Sequence, residues 1–181
     1  VDMATMSSKR LARLLNDILH LTRIEAGRLE IKEDLFSISD VMQSIQDIFT
    51  HVARENENEL QIFVDDSISG KLAGDSTRLS QVLFNLVGNA VKFTQQGRVA
   101  VHADCLHLGS KDICRVLFTV ADTGPGIPDD KIDRIFETFT QAHTTISPST
   151  RHYEGAGLGL PLVKRLVGLM HGSMSVDSQE G

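Results

Sequence analysis

The chain has 181 residues, of which 41% are hydrophobic and 23% charged, so it has the composition of one globular domain and not of a disordered or low-complexity protein. Its formal net charge of −6 excludes a protein that holds nucleic acid mainly through phosphate contacts. No stretch reaches the ~20 apolar residues of a membrane span, so we expect a soluble chain. Two cysteines cannot build a disulfide framework, and we expect Cys105 and Cys114 to pack as small hydrophobic side chains in a reducing compartment.

The spacing of apolar residues predicts the elements of the first half. Residues 6–27 have apolar side chains at three- and four-residue steps and end in a glycine, which predicts an amphipathic helix. The charged residues that follow are typical of a linker. Beyond them, the patterns predict three short strands and two helices. The strands are expected at 35–38, 60–64 and 71–73, and the helices at 40–55 and 77–93.

The second half begins with a predicted β-hairpin, because two β-rich runs at 98–106 and 113–121 are joined by turn residues at 109–112. A helix at 129–136 is predicted next. The polar segment 138–154 has no apolar periodicity, and a loop of this length in a compact domain is typically a functional lid or disordered. A last helix at 160–170 and a strand starting near Ser173 complete the predicted elements.

The helix predicted at 77–93 has a stripe of amides and a lysine. Asn85, Asn89 and Lys92 follow one another at steps of four and three residues, opposite the apolar side. A solvated polar face is the ordinary interpretation. Asparagine is a poor helix former, however, and amide oxygens suit Mg²⁺ while a lysine neutralises phosphates. The stripe therefore also fits a magnesium-nucleotide site.

Two glycine clusters follow along the chain. Asp122 precedes Gly124 and Gly126, which is either an ordinary turn or a place where a ligand lies against the backbone while the carboxylate accepts a hydrogen bond from an amino group such as adenine's. The cluster at 155–160 opens the last helix. Glycines at a helix N-terminus favour phosphate, and a ligand-free hinge is the alternative. Neither cluster has the spacing of a dinucleotide fold or a P-loop.

In this order, the clusters resemble the ATP-binding catalytic domain of sensor histidine kinases, whose superfamily includes gyrase, heat-shock chaperones and the MutL repair proteins. The asparagine, first glycine, phenylalanine and second glycine boxes of that family are similar to residues 81–93, 122–127, 135–139 and 155–160. The predicted first helix resembles the second helix of the dimerisation and histidine-phosphotransfer domain of hybrid sensor kinases.

The resemblance implies a domain organisation and a fold. Residues 1–28 would be the C-terminal helix of the dimerisation domain, 29–34 a linker, and 35–181 an ATP-binding domain whose last strand is cut short. The implied fold is an α/β (α+β) two-layer sandwich of the Bergerat type, a mixed sheet with helices on one face, preceded by one long helix.

The resemblance also implies ATP and Mg²⁺ as ligands. Asn85 and Asn89 would bind Mg²⁺, and Lys92 would contact phosphate. Asp122 would accept a hydrogen bond from the adenine amino group, and Phe93 would flank the nucleoside. The other site residues that the resemblance implies are Gly124, Gly126, Ile127, Phe136, Gly155, Gly157, Leu158 and Gly159.

The implied activity is that of a histidine protein kinase in a two-component system. The γ-phosphate would pass to a histidine of the dimerisation domain and then to the receiver domain of a response regulator, within a homodimer of the full-length protein and without nucleic acid. The domain would be cytoplasmic, in a parent protein that is either soluble or anchored in the inner membrane. The acceptor box of the family is missing, since Leu21 follows His20 where an acidic residue is expected, so no catalytic residue is assigned and the chain is not competent alone.

Two other functions stay open. Glu154 and Ala156 stand where the family commonly has glycine and a hydroxyl residue, which suits a regulatory module with impaired ATP binding. A gyrase-like or chaperone-like ATPase is the other alternative. That chemistry needs a carboxylate to activate water at the position of Asn85, and asparagine cannot accept the proton.

Overall fold

The computed structural model divides the chain into two compact units. The sheet unit is Lys32–Gly126 with Glu180–Gly181, and the helical unit is Val1–Ile31 with Ile127–Gln179. The turn predicted at 109–112, most of the loop predicted at 138–154 and the site residue Gly155 lie outside the described part of the chain. The residues that the structure describes are 8, 11–12, 15–16, 18–20, 22–24, 26–68, 70–107, 114–138, 140 and 157–180.

The sheet unit contains two helices and two small sheets. Its elements are β1 (Asp34–Phe36), α1 (Ile38–Glu55), β2 (Glu59–Val64), β3 (Leu72–Gly74), α2 (Ser76–Phe93), β4 (Arg98–His107) and β5 (Cys114–Asp122). A three-stranded mixed sheet has the order β2-β4-β5, with β2 parallel and β5 antiparallel to β4, and β1 pairs antiparallel with β3. The mixed α/β fold and the hairpin pairing are therefore confirmed, and within this unit the ends of each predicted element differ by at most two residues.

Side-chain caps decide where the two helices begin. The hydroxyl of Ser37 accepts a hydrogen bond from the Asp40 amide, so α1 starts two residues earlier than its apolar pattern indicates. Asp75 caps α2 by accepting from the Arg78 amide at 2.9 Å. Its second oxygen accepts a hydrogen bond from the Lys32 amide at 3.0 Å, which holds the residues before β1 against the start of α2.

The core lies between α1, α2 and one face of the three-stranded sheet. Alternate residues of β4 and β5 point toward the helices, while Phe63 and Leu117 on the opposite face are about half exposed. The helices of this unit therefore cover one face of the sheet, as the resemblance to the kinase family implies. The fully buried side chains of this core include Met42, Ile45, Leu83, Val87, Val91, Val99 and Val101.

The helical unit begins with a helical segment whose described residues are 8, 11–12, 15–16, 18–20 and 22–24. It ends at Gly27, which has a φ of 63°. The Gly27 amide donates to the Ile24 carbonyl, and the Arg28 amide donates to the Arg23 carbonyl, both at 2.9 Å. This pair of bonds is a Schellman motif, so the predicted glycine stop is confirmed.

Two predictions for the second half are wrong. The single helix predicted at 129–136 is instead a four-residue helix, α3 (Asp129–Ile132), followed by a 3₁₀ turn at Arg134–Phe136. In an eight-residue helix most backbone N–H and C=O groups lie in the end turns and have no partner within the helix. Such a helix has marginal stability unless it packs strongly against other elements. The strand predicted from Ser173 is not formed, since residues 172–180 have no regular secondary structure.

The missing strand has a physical explanation, because a strand needs a neighbour to pair with. Among the described residues of the helical unit there is no other strand.

The helix predicted at 160–170 is confirmed as α4 (Gly159–Leu169). In the described part of the chain, no helix is both long enough and apolar enough to cross a bilayer.

Candidate functional site

The predicted stripe of polar side chains lies on α2 within the sheet unit. Asn85, Asn89 and Lys92 are half-buried there. The amide nitrogen of Asn85 donates to the Gln81 carbonyl at 2.9 Å, so its orientation is set by the preceding turn of the helix. The ammonium of Lys92 lies 4.4 Å from the ring centroid of Phe93, a cation–π distance that holds the lysine beside the end of α2.

The C-terminal end of α2 lies beside the segment that leaves β5. Thr94, which is fully buried, ends the helix, and its amide donates to the Ala90 carbonyl at 3.0 Å. Its hydroxyl lies 3.5 Å from Oδ1 of Asp122. The structure thus brings together two of the predicted motifs, the asparagine helix and the first glycine cluster.

Asp122 and Gly124 form the tightest part of this junction. The Gly124 amide donates a 2.9 Å hydrogen bond to Oδ1 of Asp122, so the turn predicted from the sequence is formed. A Cβ atom at position 124 would lie 2.8 Å from that oxygen, 3.2 Å from the Phe93 carbonyl and 3.3 Å from the Thr94 hydroxyl. A side chain at this position would therefore displace the Asp122 carboxylate or the end of α2. The carboxylate itself is exposed, and could therefore also reach a ligand.

A buried asparagine that the sequence analysis did not identify supports the junction. Asn58 is 6% exposed, and its amide nitrogen donates to the Thr94 carbonyl at 2.8 Å and to the Val91 carbonyl at 3.3 Å. Its oxygen accepts from the Gly97 amide at 3.1 Å. The side chain thereby holds the last turn of α2 against the start of β4. Its polar sequence neighbours give no sign of this burial.

The remaining predicted site residues that the structure describes belong to the helical unit. Gly157 has a φ of 68°, a conformation that favours glycine, and the buried Leu158 precedes the first helical residue, Gly159. Among the described residues, no side chain caps this start of α4. Backbone amides at an uncapped helix start suit an anion.

Two contacts organise the rest of the helical unit near these residues. The ammonium of Lys164 on α4 lies 5.0 Å from the ring centroid of Phe136, which connects the last helix to the 3₁₀ turn. The amide of Ile127 donates to the Ser178 hydroxyl at 2.8 Å. The cation–π contact holds Phe136 beside α4, and the hydrogen bond holds Ile127 beside Ser178, both within the helical unit.

Comparison with known proteins adds independent findings. A family model described as histidine kinase-, DNA gyrase B-, and HSP90-like ATPase matches residues 74–181. The chain is 38% identical to the autoinducer 2 sensor kinase/phosphatase LuxQ of Vibrio parahaemolyticus, over 100% of the chain and 21% of that protein. It is 40% identical to the sensory/regulatory protein RpfC of Xanthomonas campestris pv. campestris, over 96% of the chain and 24% of that protein.

A solved structure agrees with these relatives. The crystal structure of full-length ShkA in complex with AMPPNP has a TM-score of 0.80 and 35% sequence identity, covering 97% of this chain and 34% of that one. The chain therefore matches about a fifth to a third of the length of each of these proteins.

Proposed function

The chain belongs to the family of histidine kinase-, DNA gyrase B- and HSP90-like ATPases, and from this premise we propose that it binds ATP with Mg²⁺ as the nucleotide-binding part of a sensor histidine kinase. The resemblance identified from the sequence is confirmed at the level of this family and of its histidine kinase members. The chain spans about a fifth of the length of LuxQ, so we propose its kinase activity, substrates and partners from the family and from the site.

The arrangement of Asp122 and Gly124 is the observation that carries the proposal. One carboxylate oxygen of Asp122 is held by the Gly124 amide, and we assign the other to the exocyclic amino group of adenine. Gly124 lets the turn pack closely against Asp122 and the end of α2, and Gly126 has a φ of 71°, a conformation that favours glycine. Phe93 would flank the nucleoside.

The residues of α2 fit the metal and the phosphates. The amide nitrogen of Asn85 is engaged by the Gln81 carbonyl, which leaves an oxygen as the ligand atom, and Asn89 lies one helical turn further on. Bound Mg²⁺ would neutralise phosphate charge. Lys92 would contact phosphate, and we assign the backbone amides near Gly157 and Gly159 to the triphosphate.

Transfer of the γ-phosphate, and not hydrolysis, is the reaction that we propose. Hydrolysis in gyrase-like relatives needs a general base, and Asn85 has no basic atom at that position. The acceptor would be a histidine of the dimerisation domain of the same kinase, and the phosphate would pass from there to a response-regulator receiver. The proposal places this domain in the cytoplasm, in a parent chain that is soluble or anchored in the inner membrane.

The first helical segment supports the proposed dimerisation partner. Four apolar side chains of this segment are exposed by 41–59%, namely Leu11, Leu15, Ile18 and Leu19. Apolar side chains along one helix are buried when the helix joins a bundle. Such burial would suit a dimerisation surface on this segment. Independently of it, we propose that residues 1–28 belong to the dimerisation domain, 29–34 to a linker and 35–181 to the ATP-binding domain.

Isothermal titration of the chain with ATP tests nucleotide binding. We expect binding that requires Mg²⁺, is lost in Asp122→Ala and is strongly weakened in Asn89→Ala, with both variants folded. Asp66→Ala, which removes an exposed carboxylate between β2 and β3, is the matched control and should bind like the parent. If Asp122→Ala and Asn89→Ala also bind like the parent, the site assignment is wrong.

Phosphotransfer needs a separate experiment. The chain is incubated with Mg-ATP and a separately supplied dimerisation domain of the same kinase that contains the acceptor histidine. We expect weak formation of an acid-labile phosphohistidine on that domain, because the covalent connection that positions the two domains is missing. Release of inorganic phosphate without any transfer would instead identify an ATPase.

A further inference from the structure

The two cysteines of the chain lie next to each other on neighbouring strands. In the register of the hairpin, Cys105 of β4 lies opposite Val116 and Cys114 of β5 lies opposite His107, so the cysteines are diagonal neighbours. The alternation of buried positions places both on the sheet face that packs toward the helices, and both are half-buried. Their Sγ atoms are 2.8 Å apart.

We propose that Cys105 and Cys114 are an oxidant-sensitive pair that closes a reversible disulfide within the chain. A disulfide has an S–S bond of about 2.05 Å, so the sulfurs need to approach by less than ~1 Å. Packing as small hydrophobic side chains accounts for partial burial, but it does not require the two sulfurs to touch. The half-exposed end of the sheet lets a small oxidant such as hydrogen peroxide reach them.

The environment of Cys114 lowers its acidity. The hydrogen bond with Cys105, followed by burial and by the charges of Cys105 and Asp65, raises the pKa of Cys114 to about 11. Cys114 therefore keeps its proton at neutral pH. Either sulfur can react first, and when Cys105 does so Cys114 is the resolving thiol.

The oxidation balances with hydrogen peroxide as the oxidant. Cys105 loses its proton, its sulfur attacks peroxide, and the O–O bond breaks to give a sulfenic acid and one water. Cys114 then attacks the sulfenic sulfur, the S–O bond breaks, and the thiol proton leaves with hydroxide as a second water. The two thiols lose two electrons in total, and a dithiol reductant restores them.

The pair is remote from the proposed nucleotide site within the sheet unit. Cys114 is the first residue of β5 and Asp122 is the last, about 27 Å apart along the strand at ~3.4 Å per residue. The proposal therefore does not rest on ATP binding.

The experiment follows the mass and the reactive thiols of the native chain during titration with hydrogen peroxide. We expect the loss of two hydrogens, the loss of both maleimide-reactive thiols, a disulfide-linked peptide pair containing Cys105 and Cys114, a monomeric product and full reversal by dithiothreitol. Cys105→Ser and Cys114→Ser are the matched controls, and neither should lose two hydrogens. In urea the equilibrium constant for reduction of the disulfide by dithiothreitol should rise at least ~10-fold, because folding holds the two sulfurs together and unfolding removes that proximity.

Three results would overturn the proposal. The first is that both thiols stay reactive at peroxide concentrations that oxidise free cysteine. The second is accumulation of sulfinic acid in place of the disulfide, and the third is an equal reduction equilibrium of the disulfide in urea and in buffer. If the serine variants do not fold, the mass and linked peptides of the unmodified sequence still decide between these outcomes.

Discussion

The Gly124 amide and the Asp122 carboxylate are joined by a 2.9 Å hydrogen bond, and a Cβ atom at position 124 would lie 2.8 Å from the same carboxylate oxygen. Asp122 is exposed, and this bond together with the Thr94 hydroxyl, 3.5 Å from the same oxygen, restricts the orientation of its side chain. The carboxylate is thereby preorganised for a ligand donor, and it loses less conformational entropy when that donor binds.

Gly124→Ala should weaken Mg-ATP binding by at least about tenfold, equivalent to ~1.4 kcal/mol. The new Cβ would lie 2.8 Å from Oδ1 of Asp122 and 3.2 Å from the Phe93 carbonyl, so the carboxylate or the end of α2 must move. Isothermal titration measures the affinity. The matched control is Gly168→Ala, where a Cβ has no atom within 4 Å. It should leave binding unchanged and stabilise α4 by about 0.5–1 kcal/mol. Equal affinities for the two variants would contradict the prediction.

Asp122→Asn should change which base is preferred. The amide oxygen of asparagine can still accept from the Gly124 amide, so the turn should be retained. The amide nitrogen would then face the adenine amino group, two donors opposed, and ATP affinity should fall about 30-fold, or ~2 kcal/mol. Inosine triphosphate has a carbonyl acceptor in that position and should lose much less. Titration with both nucleotides checks this, and an equal loss for both would be evidence against the assigned contact.

Asn58→Ala should destabilise the chain by about 2–3 kcal/mol. The variant removes the bonds to the Thr94 and Val91 carbonyls and the bond from the Gly97 amide, all in a buried place. Urea denaturation measures the loss. Gln43→Ala is the control, because it removes an amide whose hydrogen bond, to Asp47, is on the surface of α1, and it should cost less than about 0.5 kcal/mol. Similar losses in the two variants would show that Asn58 is not a structural anchor.

Cys105→Ala should bring the pKa of Cys114 down from about 11 toward its ordinary value of 9.0, since the hydrogen bond with Cys105 is the largest cause of the shift. The raised pKa means that the folded chain favours the protonated thiol. This contribution to stability is complete below pH 9 and is lost as the pH rises toward 11. The pH dependence of Cys114 alkylation, followed on its peptide, measures the shift. An unchanged profile in the variant would assign the shift to another cause.

Incubated alone with Mg-ATP, the chain should not accumulate phosphate on His20. The residue after His20 is Leu21, and the acidic residue and Arg-x-Pro that mark the family's acceptor are missing from the sequence. Mass spectrometry at neutral or alkaline pH, where phosphohistidine survives, is the measurement. Phosphate on His20 would show that the chain includes its own acceptor.

The sequence alone predicted those elements that depend on residues close together along the chain. Apolar residues at helical spacing predicted α2, two β-rich runs joined by turn residues predicted β4 and β5, and the glycine stop at Gly27 depends on a few neighbouring bonds. The predictions that failed depended on distant partners. The strand near Ser173 needed a neighbouring strand, and the helix at 129–136 needed packing to sustain so short an element.

The sequence by itself determined which chemical groups the chain presents and in what order, because the amide stripe, Asp122 and the glycine clusters can be recognised from composition and spacing alone. Only the tertiary structure decided which of them meet. Asn58 lies against Thr94, Thr94 against Asp122, and Cys105 against Cys114, across separations of 36, 28 and 9 residues. Such contacts depend on strand register and on the packing of one turn against another, and these are set by burial of the whole core and not by any local pattern.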